Sequence, residues 1–233
     1  MRTFNRFLLF LIPVLLLVSA CNPSEEVVEE WTNEPTVATA ASDTSVFVVF
    51  GHEVRDYAVW KQVHTDMDVV REDWGITDAY LMQGADEDSI VWMMMTAPGA
   101  VAADGFMVDP NLARIMETEG VEGETYRAIL ASGYTNSLDP ADFPSRVIVQ
   151  HEVRDFDAWK RVFDGHVGSR QRAGLVDLYV SHPVDDSTDV HMMFGVTNES
   201  SLVDYMASAP LRAAMRLSGV VGEPRAYFVR IAD

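Results

Sequence analysis

The chain has 233 residues, 48% of them hydrophobic, which is enough to build a sizeable core in one or two domains. Its formal charge of −19 gives a surface that repels phosphate backbones, so nucleic acid is excluded as a partner. A single cysteine excludes disulfides and any cysteine-based metal site.

In chain order, residues 1–20 have the layout of a secretory signal: basic Arg2 and Arg6, an apolar run from Phe7 to Val18, then small Ser19 and Ala20. The apolar run is short for the ~20 residues that span a bilayer, which favours a cleaved signal over an anchor helix. Val18-Ser19-Ala20-Cys21 resembles the lipobox of bacterial lipoproteins. The resemblance implies cleavage before Cys21 and lipid on its thiol, hence membrane attachment. Asn22, in place of the aspartate associated with inner-membrane retention, points to the outer membrane. Residues 21–44 follow as an acidic, proline-containing tether of disordered composition.

An internal repeat governs the remainder. Residues 45–132 align without gaps on 144–231 at an offset of 99, with 24 identities in 88 positions. HEVRD occurs at His52–Asp56 and again at His151–Asp155, each followed by an aromatic, two variable residues and Trp-Lys. The connecting stretch 133–143 is rich in Pro, Asp and Ser, as a linker should be.

Each copy reads β-α-β-β-α-β. Val46–Val54 and Val147–Val153 are β-rich runs, and Asp56 and Asp155 stand where helix N-caps belong. Helical periodicity follows, on Tyr57, Trp60, His64, Met67 and Trp74 in the first copy. Gly75 and Gly174 suit the left-handed residue that ends a helix. Strands are expected at Thr77–Gln83 and Ile90–Thr96, and in the second copy at Val176–His182, Val184–Asp189 and Val190–Val196. A helical stretch interrupted near Pro110 or Pro210 and a last strand close each unit. The fold class is therefore α+β: two ferredoxin-like repeats packed sheet to sheet, a covalent pseudo-dimer expected to be monomeric.

The pattern H-x-V-x-D-aromatic-x-x-W-K, the helix-ending glycine and the late G-V-x-G-E resemble the dimeric α+β barrel superfamily, which includes antibiotic-biosynthesis-monooxygenase-like domains. The resemblance covers nearly all of residues 45–231. It implies the barrel fold and leaves function open, because members include cofactor-free oxygenases, haem-degrading enzymes and isomerases.

His52, His151 and His191 are the candidate catalytic residues. The first two share a strand face with apolar neighbours and also suit a core-edge role, holding a backbone carbonyl. Glu53 and Glu152 point to the opposite face, where they line a cavity or meet solvent. Tyr80 and Tyr179 are expected on the same strand face as Asp78 and Asp177, either as aromatic core residues beside an exposed aspartate or as hydrogen-bonding pairs in a pocket. Arg71 and Arg170 read as surface ion-pair partners. Trp92 and His191 occupy equivalent positions and would make a pocket asymmetric. The leading expectation is a membrane-tethered module that binds a small apolar or aromatic ligand between sheet and helices, with no cofactor or metal. The alternatives are a monooxygenase-type enzyme, cofactor-free or haem-dependent, and an interaction protein without a pocket.

Overall fold

The computed structural model describes residues 45–118, 120–135 and 142–232. The expected signal peptide with Cys21, the expected tether and part of the expected linker lie outside the described residues.

The first repeat contains β1 (Val46–Val54), α1 (Tyr57–Asp66), α2 (Asp68–Asp73), β2 (Thr77–Gly84), β3 (Ile90–Ala97), α3 (Ala100–Met107), α4 (Pro110–Thr118) and β4 (Val121–Leu130). A two-residue strand, β5 (Tyr134–Thr135), follows within the stretch read as linker. The second repeat contains β6 (Ser145–Val153), α5 (Phe156–Gly165), α6 (Val167–Arg172), β7 (Leu175–Ser181), β8 (Asp189–Val196), α7 (Glu199–Met206), α8 (Ala209–Ser218) and β9 (Val220–Ile231). Asp56 and Asp155 cap α1 and α5 through their carboxylates, satisfying backbone N–H groups at each helix start. Gly75 and Gly174 adopt φ of +67° and +75°, the left-handed conformation that stops a helix.

Residues 184–188 form a hairpin turn rather than the expected strand. Asp186 accepts hydrogen bonds from both the backbone N–H and the hydroxyl of Thr188, a local arrangement that competes with strand pairing.

The strands form one antiparallel sheet in the order β4-β1-β3-β2-β9-β6-β8-β7-β5. The sheet also closes on itself. Ala131 N donates to the His182 carbonyl and Val184 N to that of Ile129, each at 2.9 Å, while Leu130 bridges Pro183. This seam is the repeat-equivalent of the β2–β9 pairing, where Gln83 faces Arg230. The chain is thus an intrachain α+β barrel whose two sheets face each other, with helices outside both.

Three apolar clusters follow from this layering. One lies between the first sheet and α1–α4, around Trp60, Phe50 and Phe106. A second fills the space between the two sheets, around Trp92, Tyr179 and Met193. The third lies between the second sheet and α5–α8, around Trp159, Phe194 and Leu202.

Candidate functional site

The β-strand alternation sends His52 and His151 to the helix side of their sheets, beneath Trp60 and Trp159. The rings meet edge-on, with centroids 6.0 Å apart in the first repeat and 5.6 Å in the second. His52 is 4% exposed and His151 8%, and none of their four ring nitrogens has a hydrogen-bond partner. Neither holds a backbone carbonyl, contrary to the core-edge expectation. Burial lowers both pKa values to about 4; nearby charged groups modify the effect. Both imidazoles are neutral at pH 7, able to accept one proton and to donate one hydrogen bond.

His151 opens onto a cavity of about 450 Å3 between the second sheet and its helices, within the usual size of small-molecule sites. Its walls are mostly apolar and aromatic, with Trp159, Phe163 and Phe194 prominent, while Arg212 and Glu223 stand exposed at the edge. Burial raises the Tyr205 phenol, so its hydroxyl stays protonated beside the cavity. His166, where α5 passes into α6, also lines the space. Its Nδ1 lies 2.7 Å from the Val162 carbonyl, which can only accept, so Nδ1 carries the hydrogen and Nε2 is left for a ligand.

The charge of Arg170 is neutralised within the wall. Its guanidinium donates to both carboxylate oxygens of Asp177 at 2.7 and 2.6 Å and lies 3.5 Å from the Phe163 ring centroid. Arg71 and Arg170 are 4% and 5% exposed, so neither is the surface residue the sequence suggests. Each follows the helical face of the buried tryptophan inward and meets an aspartate from the next strand.

The first repeat has the same site in reduced form, a cleft of about 20 Å3. Each of the ten residues around it has its counterpart, 99 positions later, lining the larger cavity. Three replacements account for much of the difference: Phe50 by Val149, Ile115 by Ala214 and Arg127 by Ala226. Phe50 faces Arg127 across β1 and β4, and Val149 faces Ala226 across β6 and β9. A fourth acts through a helix. Ala103 lets α3 sit on β1, β3 and β4, whereas the bulkier Leu202 occupies that position in α7.

The other sequence candidates lie elsewhere. Glu53 and Glu152 are exposed. Tyr80 and Tyr179 pack between the sheets, where Arg146 covers the Tyr80 ring at 4.9 Å and Tyr179 donates to the Ala131 carbonyl. They do not share a face with Asp78 and Asp177, because a β-bulge follows each aspartate and reverses the alternation. Trp92 and His191 also point between the sheets. Trp92 packs against Tyr126 and Tyr227, and His191 Nε2 lies 2.6 Å from the Tyr126 hydroxyl and 3.0 Å from Asp189. His151 and His52 thus reach a helix-side space, whereas His191 belongs to the packed interior. Among the described residues no group of three potential ligands is poised for a metal ion.

Trp159, His166, Tyr205 and Arg212 were not marked as site residues by the sequence. The available signal was the large-to-small change at Val149, Ala214 and Ala226 between the two aligned copies.

No protein-family model matches the sequence, and no curated protein matches it. Solved structures do match its fold. An anthrone oxidase-like protein is 12% identical with a TM-score of 0.58, the match covering 84% of this chain and 94% of that one. A monooxygenase candidate from Fusobacterium nucleatum is 9% identical with a TM-score of 0.54, covering 82% and 93%. A chlorite dismutase candidate is 12% identical with a TM-score of 0.51, covering 82% and 96%. The chain has the dimeric α+β barrel fold of these proteins.

Proposed function

We propose that the second-repeat cavity binds a small, largely aromatic molecule and that the protein acts on it as a monooxygenase-type enzyme. The observation that carries this reading is the pairing of an apolar cavity of about 450 Å3 with the unpartnered, neutral imidazole of His151. Burial weakens this imidazole as a base in the empty site, but the negative charge that develops on a bound ligand stabilises the imidazolium. It can then take the proton of a ring hydroxyl or an activated ring C–H. The resulting anion is electron-rich enough to react with dioxygen directly. In the overall reaction one oxygen atom enters the ring as a carbonyl and the other leaves as water. The fold shared with an anthrone oxidase-like protein supports this reading.

The test is oxygen consumption by the full chain with anthrone. Turnover should be lost in His151→Ala and retained in His52→Ala. Binding without turnover would leave a carrier of aromatic ligands, and no binding would remove the reading altogether.

Haem is the second reading, favoured by His166. With Nδ1 held by the Val162 carbonyl, His166 would hold the haem iron through Nε2, and Arg212 would pair with a propionate at the edge. Bound haem would supply oxygen or peroxide chemistry that side chains alone lack. The protein's own part would be to orient the imidazole and keep the pocket dry. A Soret band after haem addition, lost in His166→Ala, is the expected sign; its absence removes this version.

The address is part of the same proposal. The lipobox-like Val18–Cys21 supports a lipid-anchored, exported protein, with the outer membrane favoured by Asn22. Cys21→Ser should abolish lipid labelling and leave an unprocessed precursor.

A further inference from the structure

The first-repeat cleft and the second-repeat cavity are the same place in two copies of one unit, since all ten positions that line the cleft recur around the cavity. What differs is what fills them. In the first repeat the Phe50 ring lies edge-to-face with Phe106, centroids 6.4 Å apart. The Arg127 guanidinium lies 5.7 Å over that ring and donates to Met116 Sδ at 3.4 Å. In the second repeat the partners persist as Tyr205 and Met215, while the filling side chains shrink to Val149 and Ala226. The buried imidazole is kept in both, as His52 and His151, unpartnered each time.

We propose that the first repeat carries a second ligand site stoppered by its own side chains, and that Phe50 with Arg127 outlines the ligand of the second. Resting on the proposed function above, this assigns the ligand a class: a flat aromatic ring bearing a polar tail. The ring lies over Val149 and Ala226 against the edge of Tyr205. The tail leaves where Arg127 leaves the first repeat, towards Arg212 and Glu223. A ring there buries apolar surface on both faces, and the enclosing walls reject a bulky, branched aliphatic.

The experiment is a fluorine NMR titration of the full chain, in detergent with a micelle-only control, using 6-fluoro-2-naphthol as probe. The wild-type protein gives one bound resonance, which tests the underlying reading by itself. Phe50→Val/Arg127→Ala opens the stoppered site and gives a second bound resonance of equal area. Val149→Phe/Ala226→Arg closes the open site, removes the bound resonance and weakens probe binding at least 10-fold, with a raised unfolding temperature. All four substitutions together move the single resonance to the first repeat, where His52→Ala then perturbs it. A folded Phe50→Val/Arg127→Ala variant with only the wild-type resonance overturns the proposal, as does retention of that resonance in the closed variant. If the opened variant unfolds, Phe50→Val alone and the closed variant decide the outcome. A wild-type protein with no bound resonance rejects the functional reading instead, leaving the opened variant to report on the stoppered site alone.

Discussion

Arg170 grips Asp177 through two parallel hydrogen bonds beneath α6, and the two side chains are 6% and 11% exposed. The same pair in the first repeat, Arg71 with Asp78, is looser, at 3.6 Å, with Asp78 43% exposed. Burial alone would raise the Asp78 carboxyl, but His64 and Arg71 together hold it below its ordinary value.

Removing one member of a buried pair leaves the other charge uncompensated. Arg170→Met should therefore destabilise the protein by about 3–5 kcal/mol. Arg71→Met should cost roughly 1–2 kcal/mol, because water already reaches Asp78. Urea unfolding of both variants gives the comparison, and equal losses would contradict it.

His52 and His151 set an acid limit on stability. Their folded pKa values of about 4 lie below the ordinary 6.5, so the unfolded chain binds more protons between those values. Stability contributed by keeping them neutral is present above pH 6.5 and is lost as pH falls towards 4. The loss is up to about 3 kcal/mol per histidine. His52→Phe/His151→Phe should flatten the stability profile between pH 6.5 and 4 in thermal unfolding.

Gly51 gives Trp92 its place between the sheets, since a Cβ there would lie 2.8 Å from the indole. Gly51→Ala should cost about 1–3 kcal/mol through overpacking. Trp92→His, the residue that the second repeat carries as His191, should relieve most of that cost in a double-mutant cycle. Strict additivity of the two changes would show that the contact is not responsible.

Much of the fold was legible because it is periodic. The offset of 99, the capping aspartates and the helix-ending glycines announce two βαββαβ units, since local chemistry dictates each. The bulges after Asp78 and Asp177 were not legible. One extra residue leaves composition unchanged yet turns Tyr80 and Tyr179 from the pocket to the interior. His151 was visible as a retained histidine in an apolar run. The cavity around it depends on Val149 facing Ala226, a pairing between residues far apart in sequence, which no local pattern encodes.

His191 is held in the packed interior by Tyr126 and Asp189, on the far side of the sheet from the cavity. His191→Leu should lower stability by about 1–3 kcal/mol by leaving Asp189 without its partner. Affinity for 6-fluoro-2-naphthol should change less than twofold, read in the fluorine NMR titration. A large loss of affinity would place the ligand between the sheets instead.

The most direct measurement is the position of a bromine atom. Crystals of the protein grown with 6-bromo-2-naphthol should give one anomalous peak per chain, in the second-repeat cavity between Val149 and Tyr205, with the hydroxyl within hydrogen-bond reach of His151. Bromine between the two sheets, or at surface positions only, would contradict the account.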